Sequence, residues 1–156
     1  MPLGPFSLGL AQSIVVCMAH HDRIDFVELK KAKTPNTFLM APDGLCKNAK
    51  VDAVSAVYVV GAKKLRQEFL RIAIAQPRVS ISLSDEVGLY DDLVVRSALF
   101  GFPDLVSAQF LDAKGGKSSL AVYSRSVYGR SDLGVNRTRT LYWVKLLNGL
   151  IKPMQP

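Results

Sequence analysis

The architecture of this protein is set by residues 118–150, which read SSLAVYSRSVYGRSDLGVNRTRTLYWVKLLNGL. Residues 118–127 have the composition of a strand and follow a Lys-Gly-Gly-Lys turn suited to a hairpin. Ser131 and Asp132 are residue types that accept hydrogen bonds from the unpaired amides of a helix start. The stretch therefore predicts a strand, a turn and a capped terminal helix that ends before Pro153.

The terminal helix is expected to bury two adjacent lines of apolar residues against a sheet. The first line is Val135, Tyr142, Leu146 and Gly149, and the second is Trp143, Leu147 and Leu150.

The elements upstream follow from periodicity and from turn residues. Leu65, Phe69 and Ile72 recur at helical spacing and predict an amphipathic helix over residues 62–76, which Pro77 stops. Strands are predicted at 56–60, 79–83, 93–102 and 105–111, with a loop over 84–92 and a tight corner at Pro103-Asp104.

The element order is therefore β-α-β-β-β-β-α, which belongs to the α+β class. Neighbouring strands joined by short turns are antiparallel, and one sheet with both helices on one face buries every apolar stripe. We expect a curved antiparallel sheet, similar in topology to helix-grip or TATA-binding-protein-like folds, preceded by an irregular N-terminal extension.

Three regions are predicted along the chain: an apolar N-terminal segment (residues 1–22), an irregular wrapping segment (23–50) and the α+β domain (51–156). Residues 3–19 carry no charge, but Gly4, Pro5 and Gly9 interrupt them and make a poor bilayer span. The segment also lacks the basic start of a signal peptide. We interpret it as a weak anchor or docking segment, with a cleaved signal or a disordered start left open. The expected location is membrane-associated, periplasmic or organellar, and a soluble cytoplasmic protein is not excluded.

The chain is basic, with 20 Lys and Arg against 13 Asp and Glu, a formal net charge of +7. This sign favours anionic partners at long range. The longest cationic runs are the pairs Lys30-Lys31 and Lys63-Lys64, so no nucleic-acid tail is present in the sequence. A solvated surface, an anionic membrane or a protein surface all fit this distribution, and a nucleic acid fits it least.

The stretch of sequence richest in polar residues lies at the junction between the last predicted strand and the last predicted helix. Glycines there allow sharp turns, and helix-start amides with arginine side chains could hold a phosphate, sulfate or carboxylate. The candidate ligand-binding or partner-binding residues are Ser124, Arg125, Ser126, Gly129, Arg130, Ser131, Asp132, Gly134, Asn136 and Arg137.

A structural role for the same stretch is the alternative. In that interpretation Asp132 caps the helix, Arg125 or Arg137 pairs with Asp132, Asn136 ties down the loop, and nothing is bound. Asp132 itself opposes an anion, because its carboxylate competes for the same amides unless an arginine neutralises it.

The sequence resembles the DUF1499 family of proteins of unknown function over roughly residues 25–150. The resemblance rests on the Ser-Arg-Ser, Gly, Ser-Asp, Gly, Asn-Arg pattern within residues 124–137, and on the runs at 33–42 and 96–104. Similar proteins occur in bacteria and plastid-bearing organisms, often behind an apolar N-terminal segment. The resemblance therefore implies membrane association but no activity and no catalytic residues.

The sequence offers little for catalysis, which needs a nucleophile with a base, paired carboxylates or metal ligands. The only histidines are His20 and His21, and Cys17 and Cys46 form neither a disulfide framework nor a metal set, so whether they pair is open. We expect no catalytic residues, no metal and no cofactor.

The function that fits best is a non-enzymatic binding or assembly module at a membrane, with a protein partner in a membrane complex or an anionic membrane surface. One alternative is a carrier of an amphipathic anion or lipid-like ligand in a groove between the sheet and the last helix. That groove would be lined by Phe100, Phe102, Phe110, Tyr142 and Trp143. A nucleic-acid binder is the third interpretation.

Overall fold

A computed structural model describes residues 22–154 of the chain. The predicted N-terminal segment, apart from Asp22, lies outside the described residues, as do Cys17 and residues 155–156. The elements are β1 (Thr37–Ala41), β2 (Ala53–Val54), α1 (Ala62–Ile74), β3 (Val79–Asp85), β4 (Tyr90–Arg96), β5 (Pro103–Ala113), β6 (Lys117–Ser126) and α2 (Val135–Leu150).

The strands form one open sheet of six, in the order β2-β1-β6-β5-β4-β3. β3 to β6 are antiparallel neighbours, and β1 is antiparallel to β6. β2 pairs with β1 in the parallel sense, so the sheet is mixed. The predicted α+β class, with four consecutive antiparallel strands between two helices, is confirmed.

Both helices pack on the same face of the sheet. Phe69 of α1 contacts Phe110 of β5 edge-on, with ring centroids 5.5 Å apart, and Trp143 of α2 at 5.9 Å. Leu65 and Leu147 are fully buried in the same cluster. Side chains therefore fill the space between the helices and the sheet.

The opposite face is covered by the N-terminal part of the domain. Phe26 and Leu29 are buried there against Leu39 of β1 and Tyr123 of β6. Both faces of the central strands are therefore covered by packed side chains.

The first strand is not where the sequence predicted it. Residues 56–60 contribute only bridges from Tyr58 to Ser118 and to Pro153. The strand is instead β1, inside the segment predicted to be irregular. Phe38, Leu39 and Met40 are all buried, because β1 has a covered layer on each side. Such a strand reads as a short apolar run without the alternation by which strands are recognised.

The boundary between β4 and β5 also differs from the prediction. β4 ends at Arg96, and residues 97–102 form an exposed loop in place of the predicted end of a strand. Pro103 is the first residue of β5 rather than part of a corner. The loop turns back at Gly101, whose φ of 66° favours glycine, and Arg96 donates to the Gly101 carbonyl at 3.1 Å.

Candidate functional site

Three loops lie together at one end of the sheet. β6 ends there, and its antiparallel neighbours β1 and β5 begin there. The loops are residues 30–36 before β1, 97–102 between β4 and β5, and 127–134 between β6 and α2. All ten predicted binding residues lie in the last of these loops or within three residues of it.

The Ser-Arg-Ser element at the end of β6 is divided between the two faces of the sheet. Successive strand residues point to opposite faces, so Ser124 and Ser126 face α2 and hydrogen-bond to it. The Arg125 guanidinium lies on the other face, 5.1 Å from the centre of the Tyr123 ring, and donates to Ser107 Oγ at 3.1 Å. Burial lowers the pKa of Arg125 from its ordinary value. The three side chains therefore do not converge on one ligand.

Asn136, in the first turn of α2, is fully buried and joins three parts of the chain. Its Nδ2 donates to the Asn36 carbonyl at 3.0 Å and lies 2.9 Å from Ser126 Oγ. Its Oδ1 accepts hydrogen bonds from Ser124 Oγ and from Arg139, the latter at 2.9 Å. Asn136 therefore ties the terminal helix to β6 and to the start of β1.

An ion pair that the sequence did not suggest completes this polar cluster. Arg139, one turn beyond Asn136, donates to the Asp104 carboxylate at 2.6 Å, and only 11% and 14% of the two side chains are exposed. Asp104 is the second residue of β5 and reaches α2 across the end of β6. The three-residue spacing of Asn136 and Arg139 indicates that the two side chains share one face of a helix. The partner of Arg139 on the strand, Asp104, is distant in sequence and gives no such signal.

Asp132 occupies the amides of the helix start. Its carboxylate accepts from the backbone amides of Gly134 at 2.9 Å and Asn136 at 2.8 Å. The predicted salt bridge to Arg125 or Arg137 is absent within residues 22–154. Regular helix begins at Val135, after Gly134 with φ 80°, three residues later than the predicted cap. An anion at this end would therefore be held by side chains rather than by the helix amides.

The tip of the 127–134 loop is exposed. Gly129 accepts a hydrogen bond at its carbonyl from Asn36 Nδ2 at 2.8 Å, and its φ of 83° requires little side-chain bulk. Ser131 Oγ accepts from the Leu133 amide at 3.3 Å, and Arg130 is exposed to solvent. The loop is thus anchored at Gly129 and leaves Arg130 accessible.

Phe100, Phe102 and Tyr128 form an exposed cluster at this end, which we call the aromatic patch. The rings of Phe100 and Phe102 stack with centroids 5.4 Å apart, and Tyr128 lies 5.5 Å from Phe102. Between 52% and 69% of each residue remains exposed. Leu99 and Leu133, on the same two loops, are 81% and 96% exposed.

The structure does not bring the five predicted groove residues together. Phe110 and Trp143 are buried in the core between the helices and the sheet. Phe100 and Phe102 lie in the loop that the sequence assigned to a strand, and Tyr142 is 49% exposed on the outer side of α2. A ligand groove at the predicted position would need the space that Phe69, Phe110 and Trp143 fill.

A second feature at the same end is a groove of about 670 Å³ between the segment before β1, the segment before β2 and the start of α2. We call it the basic groove, because its charged lining residues are Lys31, Lys33, Lys50, Asp52 and Arg137.

Within residues 22–154 no three His, Cys, Asp or Glu residues lie close enough to hold a metal ion. Burial raises the pKa of the Cys46 thiol. No helix in this range combines the length and apolar character needed to cross a bilayer.

Comparison with known proteins identifies a family. No curated protein matches the chain. The model of the family described as Protein of unknown function (DUF1499) matches residues 29–147, a span that runs from the wrapping segment to α2 and contains the Asn136 cluster and all the lining residues of the basic groove. This match covers well over half of the sequence, and the chain therefore belongs to the DUF1499 family.

Proposed function

We propose that this protein is a non-catalytic binding module that attaches to an anionic membrane surface through the aromatic patch. The observation that carries the proposal is the stacking of Phe100, Phe102 and Tyr128 on two neighbouring loops with most of each ring in water. Water-exposed aromatic clusters are unfavourable unless something covers them.

A bilayer interface suits these residues for chemical reasons. Aromatic rings favour the boundary between lipid headgroups and acyl chains, and the Tyr128 hydroxyl can remain hydrated there. Because both loops project from the same end of the sheet, the three rings can meet a flat surface together. Leu99 and Leu133 extend the apolar area on each loop.

The charge around the patch supports an anionic surface. Arg96, the last residue of β4, and Arg130, in the 127–134 loop, are exposed beside the patch, and each basic residue near an anionic bilayer adds about 1 kcal/mol of attraction. Arg96 and Arg130 therefore place positive charge next to the aromatic patch.

Vesicle flotation of the full-length protein tests the proposal. We expect binding to phosphatidylcholine vesicles that contain phosphatidylglycerol, and weaker binding to phosphatidylcholine alone. A variant with Phe100→Ser, Phe102→Ser and Tyr128→Ser should bind about a hundredfold more weakly. Each ring that becomes partly buried in the bilayer contributes roughly 1 kcal/mol to the binding free energy.

The matched control is Val54→Ser with Val87→Ser, two exposed apolar residues (61% and 97% exposed) at the opposite end of the sheet. It should bind as the wild type does. Wild-type binding by the patch variant, or no vesicle binding by the wild type, would contradict the proposal. Deletion of residues 1–19 separates the contribution of the apolar N-terminal segment.

A further inference from the structure

We infer that the basic groove is a binding site for a phosphate group, carried by the headgroup of an anionic lipid or by a free phosphate. The lipid as source rests on the function proposed above, whereas the phosphate site stands on the groove itself. Its lining side chains come from three separate elements that the fold brings together at one end of the sheet.

The charge balance of the groove is strongly positive. Its single carboxylate, Asp52, contacts Lys31 Nζ with both oxygens and also accepts the Leu39 amide at 2.7 Å. Lys31 and Asp52 therefore neutralise each other, with 20% and 29% of their side chains exposed. Asp52 has little capacity left for the other cations.

Lys33, Lys50 and Arg137 remain without an acidic partner among residues 22–154. The residues outside this range contain no Asp or Glu. Three unneutralised cations facing one concave surface repel each other, and a bound anion relieves that repulsion. The groove therefore offers an anion three exposed cations that no carboxylate among residues 22–154 neutralises.

The Arg137 guanidinium lies over an aromatic ring that favours one position of the side chain beside the groove. Its guanidinium lies 5.6 Å from the centre of the Phe38 ring, which is buried in β1, so the plane of the ring restricts the otherwise mobile side chain. A restrained guanidinium presents forked donors that match the oxygens of phosphate. Lys33, before β1, and Lys50, before β2, add point charges from the two other segments that line the groove.

Phosphate fits this arrangement better than a carboxylate does. Donors that approach from three elements need an acceptor with several oxygens in different directions, which a tetrahedral phosphate offers and a planar carboxylate does not. The groove and the aromatic patch share the 127–137 region, which ends at Arg137. A lipid whose acyl chains lie beside the patch would therefore carry its phosphate toward the groove.

Calorimetric titration of the full-length protein with inorganic phosphate tests the site directly. We expect saturable binding, weakened about tenfold or more in a variant with Lys33→Gln, Lys50→Gln and Arg137→Gln. The charge-matched control is Lys114→Gln, Lys117→Gln and Lys145→Gln, which lowers the net charge by the same three units away from the groove. It should bind phosphate like the wild type.

Flotation with vesicles that contain phosphatidic acid or the same fraction of phosphatidylserine separates the two sources. A lipid source predicts stronger binding to phosphatidic acid, lost in the groove variant and kept in the control. Saturable phosphate binding without any vesicle binding would leave the site as one for free phosphate and would remove the proposed membrane function.

Two outcomes would overturn the inference. One is the absence of saturable phosphate binding by the wild type, even if vesicles bind. The other is an equal loss of binding in the groove variant and the control, because net charge alone would then explain the data. The exposed positions of Lys33, Lys50 and Arg137 allow these variants to fold, which a thermal melt verifies.

Discussion

The side-chain amide of Asn136 donates a hydrogen bond of 3.0 Å to the main-chain carbonyl of Asn36, one hundred residues earlier in the chain. This contact fixes the first turn of α2 to the start of β1, across the end of β6. It also positions the walls of the basic groove, since Lys33 precedes Asn36 and Arg137 follows Asn136.

Replacing Asn136 with Ala should therefore destabilise the fold. The change removes a buried hydrogen-bond partner from the Asn36 carbonyl and from Ser124, and a further partner from Arg139. We therefore expect a decrease of about 3 kcal/mol in the free energy of unfolding. Urea titration followed by circular dichroism measures it. Thr138→Ala, at an exposed position on the same turn, should change stability by less than about 0.5 kcal/mol. Equal effects of the two substitutions would contradict the role assigned to Asn136.

Arg66 of α1 and Asp91 of β4 form a second buried ion pair among residues 22–154. Arg66 Nε and Nη2 donate to the two Asp91 oxygens at 2.7 and 2.8 Å, and Asp91 is fully buried. The hydrogen bond that Arg66 donates to the Asp91 carboxylate raises the pKa of Arg66. Asp91→Ala should cost about 3–5 kcal/mol in unfolding free energy, because it strands a buried guanidinium.

An exposed pair provides the comparison. Lys47 and Glu28 lie 3.3 Å apart with more than half of each side chain exposed, and Lys47→Ala should cost less than about 1 kcal/mol. A double variant, Arg66→Met with Asp91→Leu, should recover part of the stability lost in Asp91→Ala. If the double variant were less stable than Asp91→Ala, the stranded charge would not be the cause.

Gly134 and Gly149 offer a matched pair of glycines at the two ends of α2. Neither has an atom within 4 Å of the position that a Cβ would occupy, so only backbone conformation distinguishes them. Gly134 has φ 80°, and Gly134→Ala should destabilise the protein by about 1 kcal/mol. Gly149→Ala should stabilise it by about 0.5 kcal/mol, because alanine is the better helix former. Thermal melts that show the same sign for both would refute this assignment.

The protein should lose stability at alkaline pH, because two of its buried tyrosines have raised pKa values. Burial raises the pKa of Tyr58 and of Tyr90 from the ordinary 10.0 to about 12. Between these values the unfolded chain releases protons that the native state keeps, so stability is complete below pH 10 and falls as pH rises toward 12.

Unfolding curves measured across this pH range test the sign of the effect. Tyr58→Phe removes one of the two tyrosines whose pKa is raised and should make the loss of stability above pH 10 shallower. Its hydrogen bond to Asn148 at 2.8 Å is also lost, so the variant is compared with its own value at neutral pH. An unchanged slope would show that the buried phenol is not responsible.

The local elements with strong periodicity were predicted well from the sequence. Leu65, Phe69 and Ile72 placed α1 at residues 62–76, and the structure has Ala62–Ile74. The hairpin at residues 114–117 and the terminal helix before Pro153 are also present. In α2, however, the buried line is Asn136, Thr140, Trp143 and Leu147, whereas Val135 and Tyr142 are about half exposed. Hydrophobicity alone could not identify Asn136 and Thr140 as inward-facing, because their burial depends on hydrogen bonds.

At the predicted site, too, some features follow from local sequence patterns and others depend on contacts between distant segments. The alternation of β6 alone places Ser124 and Arg125 on opposite faces, so the sequence contained the reason why the Ser-Arg-Ser element does not form one binding site. Other contacts at this site join residues that are far apart in sequence. Asp104 lies 35 positions from its partner Arg139, and Asn36 lies 100 positions from its partner Asn136. Such contacts carry no periodic signature.

The sequence by itself determined the α+β class, the order of the helices and antiparallel strands, and the basic character of the chain, since these depend on short-range periodicity, turn residues and composition. Only the tertiary structure decided that β1 lies in the wrapping segment, that the aromatic patch faces water, and that Lys33, Lys50 and Arg137 line one groove. The physical reason is that burial and charge pairing depend on which distant segments the sheet brings together. The pattern of neighbouring residues along the chain does not predict those contacts.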